Sequence, residues 1–304
     1  MKKEGAEEKS GITRGDYFRT DLACESPTPA IATEEERVEI GDAGAAVTVT
    51  RRREAEGVSS VTLACGRITA WGEESLRGLA ELVSEELRRM AAAVTGRTVG
   101  SDLRVLVVGL GNGAMTPDAV GPHTLRRLTV TRHLRSHDES LFAALGCCEL
   151  SALAPGVMGQ TGMETGELIR AAVKLVRPHV VVAVDALAAR SCDRLASTIQ
   201  LSDGGISPGA GIGNHRMALT AEALGCPVMG VGVPTVVDSA TLVLDALERA
   251  GMTAEGEDLP KPLAEVLARG RSFIVTPKDC DEMVSTTCRV LAQALNRAFG
   301  VEES

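Results

Sequence analysis

Three runs of apolar residues constrain the fold of this 304-residue chain more than any other feature. Residues 103–111 read LRVLVVGLG, residues 179–185 read HVVVAVD and residues 227–234 read PVMGVGVP. Short apolar runs that end in glycine, proline or an acidic residue are typical of parallel strands buried on both faces. The sequence therefore predicts a parallel sheet.

Helical and alternating patterns fill the chain around these runs. Apolar residues recur at helical spacing in residues 73–93, 166–176 and 279–299. Residues 38–69 alternate apolar with polar residues, which predicts antiparallel strands at an edge. We expect a three-layer α/β sandwich with a mainly parallel central sheet and a small antiparallel β element over residues 38–70.

The first 36 residues are polar and charged and contain two prolines, so we expect a mobile extension there. No apolar run approaches the roughly 20 residues that span a bilayer, and no signal peptide is recognisable, so a cytoplasmic protein without a membrane partner is expected. A net charge of −9 and 2% aromatic residues argue against nucleic-acid binding. The eight cysteines form no C-x-x-C pair, so we expect reduced, mostly buried thiols.

Polar clusters follow the predicted strands at residues 109–122, 185–190 and 202–214. Because ligands and catalysis gather at the carboxyl ends of parallel strands, Asp118 and Asp185 are the candidate catalytic residues. Two carboxyl groups brought close in a partly desolvated cleft can take different protonation states. One holds a proton, and the other accepts a proton from water. Asp203 and Asp238 are weaker candidates, which we expect to be structural.

Other interpretations of these residues stay open at this point. Each aspartate taken alone can simply cap the next helix. The turn at 109–114 matches a Gly-x-Gly-x-x-Ala variant of the dinucleotide fingerprint, and residues 209–213 resemble a phosphate loop without its Lys-Ser/Thr ending. A non-catalytic nucleotide- or metabolite-binding module is therefore the alternative function. No Gly-x-Ser-x-Gly elbow occurs, and the five histidines are unclustered.

Several longer motifs resemble the germination proteases of spore-forming bacteria, peptidase family A25. They include RTDLA at residues 19–23, APGVMGQTGMET at 154–165 and GVPTVVD at 232–238. The cluster at 109–122 is also similar to the opening motif of hydrogenase maturation endopeptidases, whose fold the germination proteases share.

This resemblance implies an endopeptidase that degrades small acid-soluble spore proteins in the spore core and assembles as a homotetramer. It implies that Asp118 and Asp185 are catalytic and that the chain is a zymogen. Its propeptide is residues 1–21, cut between Asp21 and Leu22, and a single α/β domain covers 22–304. Site residues of the hydrogenase enzymes bind nickel, but no histidine of this sequence completes such a site, so we assign no metal or cofactor.

Overall fold

Most of the described chain is built around one mixed sheet with helices on both faces. The structure is a computed structural model and describes residues 9–13, 20–25, 30–41, 44–54, 57–207, 217–252, 258–270 and 273–301. The strands are β1 (Lys9–Thr13), β2 (Ala30–Glu39), β3 (Ala46–Glu54), β4 (Ser59–Ala64), β5 (Arg104–Gly109), β6 (Glu149–Leu153), β7 (Val180–Ala188), β8 (Thr198–Ser202), β9 (Val228–Asp238), β10 (Asp258–Pro260) and β11 (Ile274–Val275). The helices are α1 (Glu73–Thr95), α2 (Val120–Leu125), α3 (Arg132–His137), α4 (Glu139–Leu145), α5 (Met158–Thr161), α6 (Thr165–Val176), α7 (Ala221–Leu224), α8 (Ser239–Arg249), α9 (Lys261–Gly270) and α10 (Cys280–Phe299).

Four parallel strands form one end of the sheet, in the order β9-β7-β5-β6. The three predicted apolar runs are the strands β5, β7 and β9, which confirms that part of the prediction. The chain leaves β5 for β6 on one side and later returns to β7 on the other side. The carboxyl ends of β5 and β7 therefore form the topological switch point, where open α/β sheets place their ligands.

The prediction of a mainly parallel sheet is wrong. Five of the eight pairings described in this sheet are antiparallel, because β2, β3 and β4 form a meander that joins the parallel block through β8. Strand β8 lies between β4 and β9 and is antiparallel to both. The expected edge element is thus part of the central sheet. The expected fold likeness to hydrogenase maturation endopeptidases stays a prediction.

The prediction of an unstructured extension over residues 1–36 is wrong for residues 30–36, which belong to the ten-residue strand β2. This strand pairs with β3 along one edge only, and nearly all of its side chains are exposed on both faces. A strand that is exposed on both faces needs no alternation of apolar and polar residues. The charged sequence of β2 therefore carries no strand signal. Strand β1 also falls in the expected extension and pairs antiparallel with β10.

The core lies on both faces of the parallel block, as a three-layer arrangement requires. On one face Val105 and Val107 of β5 belong to the cluster that contains the apolar stripes of α1 and α10. On the other face Leu106 and Val108 pack in a cluster with Ile169 of α6. The three helices predicted from periodicity are therefore confirmed.

The thiols of this chain are mostly buried. All eight cysteines are free thiols, and burial raises the pKa of Cys65 to about 12. No helix in the described parts of the chain combines the length and apolar character that crossing a bilayer requires.

A buried ion pair fastens the antiparallel meander to α1. Glu86 of α1 is 2% exposed, and its Oε1 lies 2.5 Å from the Arg51 Nη2 of β3 and 2.7 Å from the Arg89 Nη1. The hydrogen bond with Glu86 is the main reason that the pKa of Arg51 is raised. A buried carboxylate held by two guanidinium groups fixes the position of the strand relative to the helix.

We predict that Glu86→Ala lowers the free energy of unfolding by about 1–3 kcal/mol, because it leaves Arg51 without its buried partner. Glu81→Ala is the matched control on the same helix. Its pair with Arg297 is exposed on both sides, so its loss costs at most about 1 kcal/mol. Urea unfolding followed by circular dichroism measures both values, and equal losses for the two variants would contradict this account.

Candidate active site

Asp118 ends a 3-10 turn, Thr116–Asp118, in the loop that follows β5. Its carboxylate Oδ2 accepts a hydrogen bond of 2.8 Å from the Asn112 N–H. Gly111 makes this contact possible, since its φ is +105° and an added Cβ would lie 2.0 Å from the Asp118 carbonyl oxygen. The glycine turn and the aspartate therefore form one compact unit, with Asp118 half-buried.

Asp185 lies within β7 and is 4% exposed. Its carboxylate Oδ1 accepts the Ala186 N–H at 2.9 Å. Cα atoms of the turn that carries Asp118 lie within 8 Å of Cα atoms in β7 and in β9. The structure thus brings the two segments that carry the predicted aspartates together at the switch point.

Main-chain contacts hold these two segments in place. The Leu110 N–H donates to the Val184 carbonyl oxygen at 2.8 Å, directly before Asp185. Gly121 at the start of α2 packs so closely that an added Cβ would lie 2.4 Å from the Leu110 backbone and 2.6 Å from the Val184 oxygen. Contacts of this kind leave no room for a side chain at residue 121.

Two residues near the site were missed by the sequence reasoning. The buried Thr235 hydroxyl of β9 donates to the Pro117 carbonyl oxygen at 2.6 Å and so ties the turn before Asp118 to the sheet. The Gln160 amide of α5 donates to Asn112 Oδ1 at 2.7 Å. Both lie in motifs that carry the family resemblance, but nothing in the local pattern marks them as partners of the aspartate loop.

The weaker candidates have structural contacts. Asp238 is buried and caps α8, with its Oδ1 accepting the Ala240 N–H at 3.0 Å and the Thr241 N–H at 3.1 Å. Asp203 Oδ1 accepts the Ser59 N–H at 2.6 Å and joins β4 to the loop after β8.

Four of the five histidines lie in the described chain. His179 Nδ1 accepts the Arg104 N–H at 3.1 Å, and burial is the main cause of its lowered pKa. His123 Nε2 lies 3.1 Å from the Gly113 carbonyl oxygen. His133 and His137 are on the surface helix α3, and His215 lies outside the described residues.

The glycine turn does not have the geometry of a phosphate site. A dinucleotide fingerprint requires a helix to begin at the turn, with its N–H groups open to the pyrophosphate. Here α2 begins only at Val120, and the Asn112 N–H is occupied by Asp118. The phosphate-like residues 209–213 lie outside the described residues.

A metal site is not supported by the donors that the structure describes. Within the described ranges, no three His, Cys, Asp or Glu side chains gather in an arrangement that could hold a metal ion. We therefore derive no chemistry through a metal.

The predicted cleavage residues Asp21 and Leu22 lie against the end of β7. Asp21 and Ala188 exchange hydrogen bonds, from Asp21 N–H to Ala188 O at 2.9 Å and from Ala188 N–H to Asp21 Oδ2 at 2.8 Å. Leu22 is 1% exposed, in a cluster with Leu187 and Met283. The predicted cleavage point is therefore docked on the folded domain.

The chain is similar to known germination proteases. The family model for germination proteases matches residues 33–250. A germination protease of Clostridium acetobutylicum is 37% identical over 257 residues, covering 79% of this chain and 77% of the relative. One of Caldanaerobacter subterraneus is 35% identical over 312 residues, covering 93% and 94%, and one of Bacillus velezensis is 38% identical over 268 residues, covering 72% of each.

We predict that Gly121→Ala destabilises the protein by about 1–3 kcal/mol and lowers activity, because the added methyl group forces α2 away from Leu110 and Val184. Gly100→Ala is the control, since nothing lies within 4 Å of a Cβ at that residue. Thermal unfolding of the two variants measures the difference. A Gly121→Ala protein as stable as the control would show that α2 can move at little cost.

Proposed function

The chain belongs to the germination protease family, and from this premise we propose that it hydrolyses small acid-soluble spore proteins during germination, using Asp118 and Asp185 to activate water. The observation that carries the assignment of residues is the docking of the Asp118 turn on β7 and β9 at the switch point, where β7 also carries Asp185. The proposed location is the cytoplasm of the spore core, and the proposed assembly is a homotetramer.

One aspartate acts as the general base and takes a proton from a water molecule that attacks the scissile carbonyl carbon. The other is protonated and donates to the developing oxyanion or to the leaving amine. Burial of Asp185 supports this division, because a carboxyl group and a carboxylate in a water-poor crevice interact more strongly than in bulk water.

The turn between β5 and Asp118 is the proposed source of oxyanion stabilisation. Its N–H groups at Leu110, Asn112, Ala114 and Met115 donate hydrogen bonds within the protein. In the part of the chain that the structure describes, the Gly111 and Gly113 N–H groups donate none. We assign the oxyanion contact to these two N–H groups, of which Gly111 packs directly against Asp118.

The zymogen model rests on the docked segment around residues 21 and 22. A cut there requires the segment to lift from Ala188, but the sheet itself can stay folded, because local opening of peripheral segments costs less than global unfolding.

We predict that Asp118→Asn and Asp185→Asn each lower kcat for a small acid-soluble spore protein by about 10²–10⁴-fold, because each removes a proton-transfer group with little change of shape. Asp102→Asn, at an exposed aspartate, is the control and keeps full activity. Mass spectrometry of the digest detects the fragments. Undiminished cleavage by either site variant would refute the aspartate assignment, and thermal stabilisation by nucleotides without cleavage would favour a binding module instead.

We also predict that processed protein begins at Leu22. Edman sequencing or the intact mass of material from sporulating cells tests this prediction directly. A mature N-terminus at another residue would remove the propeptide boundary while leaving the assignment of the aspartates intact.

A further inference from the structure

The segment from Thr20 to Glu25 lies on the sheet, with residues 20–22 outside regular secondary structure and Ala23–Glu25 in a 3-10 turn. Asp21 pairs with the last residue of β7 through its own N–H, 2.9 Å from the Ala188 oxygen. Ala23 is held through its carbonyl oxygen by the Arg52 guanidinium of β3. The segment therefore crosses from the end of β7 toward the antiparallel half of the sheet.

One side chain binds the main chain of this segment on both sides of Leu22. The Gln200 Nε2 of β8 donates to the Asp21 carbonyl oxygen at 3.1 Å, and Gln200 Oε1 accepts the Ala23 N–H at 2.6 Å. On the side of the segment, both contacts involve only main-chain groups. They are therefore independent of the side chains that a bound peptide carries. An amide is the uncharged side-chain group that supplies a donor and an acceptor together in this way.

Gln200 stands in the same cross-strand row as Asp185. Gln200 of β8 is opposite Gly232 of β9, and Gly232 is opposite Asp185 of β7. Residues paired in this way point to the same face of the sheet. Two strand spacings of about 4.8 Å put the two backbones about 10 Å apart, which an extended chain spans with about three residues.

The row between these two residues is apolar. Gly232 leaves space that the Leu187 side chain fills, because a Cβ on Gly232 would lie 2.2 Å from Leu187 Cδ1. Leu187 is 5% exposed and belongs to the cluster that also contains Leu22. Release of Leu22 would therefore expose Leu187 to a peptide bound between Asp185 and Gln200.

We propose that Gln200 is a positioning residue that binds the main chain of the substrate about three residues from the scissile bond, and that Asp21 to Ala23 occupy this place in the present structure. The inference rests on the proposed protease function. It defines the substrate class further, since a peptide must be extended and free of its own secondary structure to offer its main-chain groups to Gln200 and Ala188.

The alternative is that Gln200 serves only to anchor the N-terminal segment. The test removes that role first, in the full-length chain, with Leu22→Asp. This change puts a charge in an apolar cluster and releases the segment. Hydrogen exchange of residues 20–25 verifies the release.

In the Leu22→Asp background, Gln200→Met keeps the size of the side chain and removes its amide. We expect the KM for a small acid-soluble spore protein to rise about three- to tenfold, with kcat changed less than about twofold. Thr198→Val is the matched control on the same strand and face. Within the described residues the Thr198 hydroxyl has no hydrogen-bond partner, so the KM stays unchanged.

An unchanged KM in the Leu22→Asp/Gln200→Met protein, with the segment released, would overturn this proposal. If Gln200→Met fails to fold, Gln200→Glu replaces it, since glutamate keeps the shape but loses the donor, and the same rise in KM is expected. Failure of the proposed function has a different signature, because the processed protein that begins at Leu22, without further substitution, would then cleave no spore protein.

Discussion

The site depends on close main-chain packing between the start of α2, Leu110 and Val184 in the middle of β7. Gly121 has no space for a Cβ against Leu110 and Val184, and the Leu110 N–H is bonded to the Val184 oxygen. Gly121 follows Asp118 by three residues, and Val184 directly precedes Asp185. Because backbone atoms pack on backbone atoms here, neither aspartate-bearing segment can shift alone, and the relative position of the two segments is set before any substrate binds.

Because the sheet is mixed, the sheet face beside this site extends further than it would in a purely parallel sheet. Strand β9 would be the edge of a parallel block, and the surface beside Asp185 would end at Gly232. With β8 paired to β9, the same face continues to Gln200, and with β4 it continues to Thr62, opposite Gln200. The antiparallel meander therefore continues the sheet face next to the switch point, and it also holds the N-terminal segment through Arg52.

Much of the parallel block could be predicted, because the strands β5 and β7 are apolar on both faces. Asp185 was expected at the end of its strand but lies within β7, because the strand continues through Ala186, Leu187 and Ala188. Strand β8 was missed because it has five residues and its partners are set by tertiary pairing. The role of Gln200 has no local signal at all, since the residues that it binds are 177 and 179 positions away in sequence.

The anchors of the N-terminal segment fall on both sides of the predicted cut, and this arrangement gives the cut a physical consequence. Leu22 is buried, and the Glu25 carboxylate accepts the Arg190 N–H at 2.7 Å and the Ser191 N–H at 3.2 Å, so the segment that begins at Leu22 keeps its own contacts. Asp21, on the other side of the cut, contacts Ala188 and the Gln200 Nε2. While the chain is intact, the tether holds Asp21 at an effective concentration in about the millimolar range. A cut after Asp21 removes that advantage, and dilution then favours departure of Asp21 from Ala188 and from the Gln200 Nε2, without rearrangement of the sheet. Full occupation of Gln200 by a substrate also requires Ala23 to leave Gln200 Oε1.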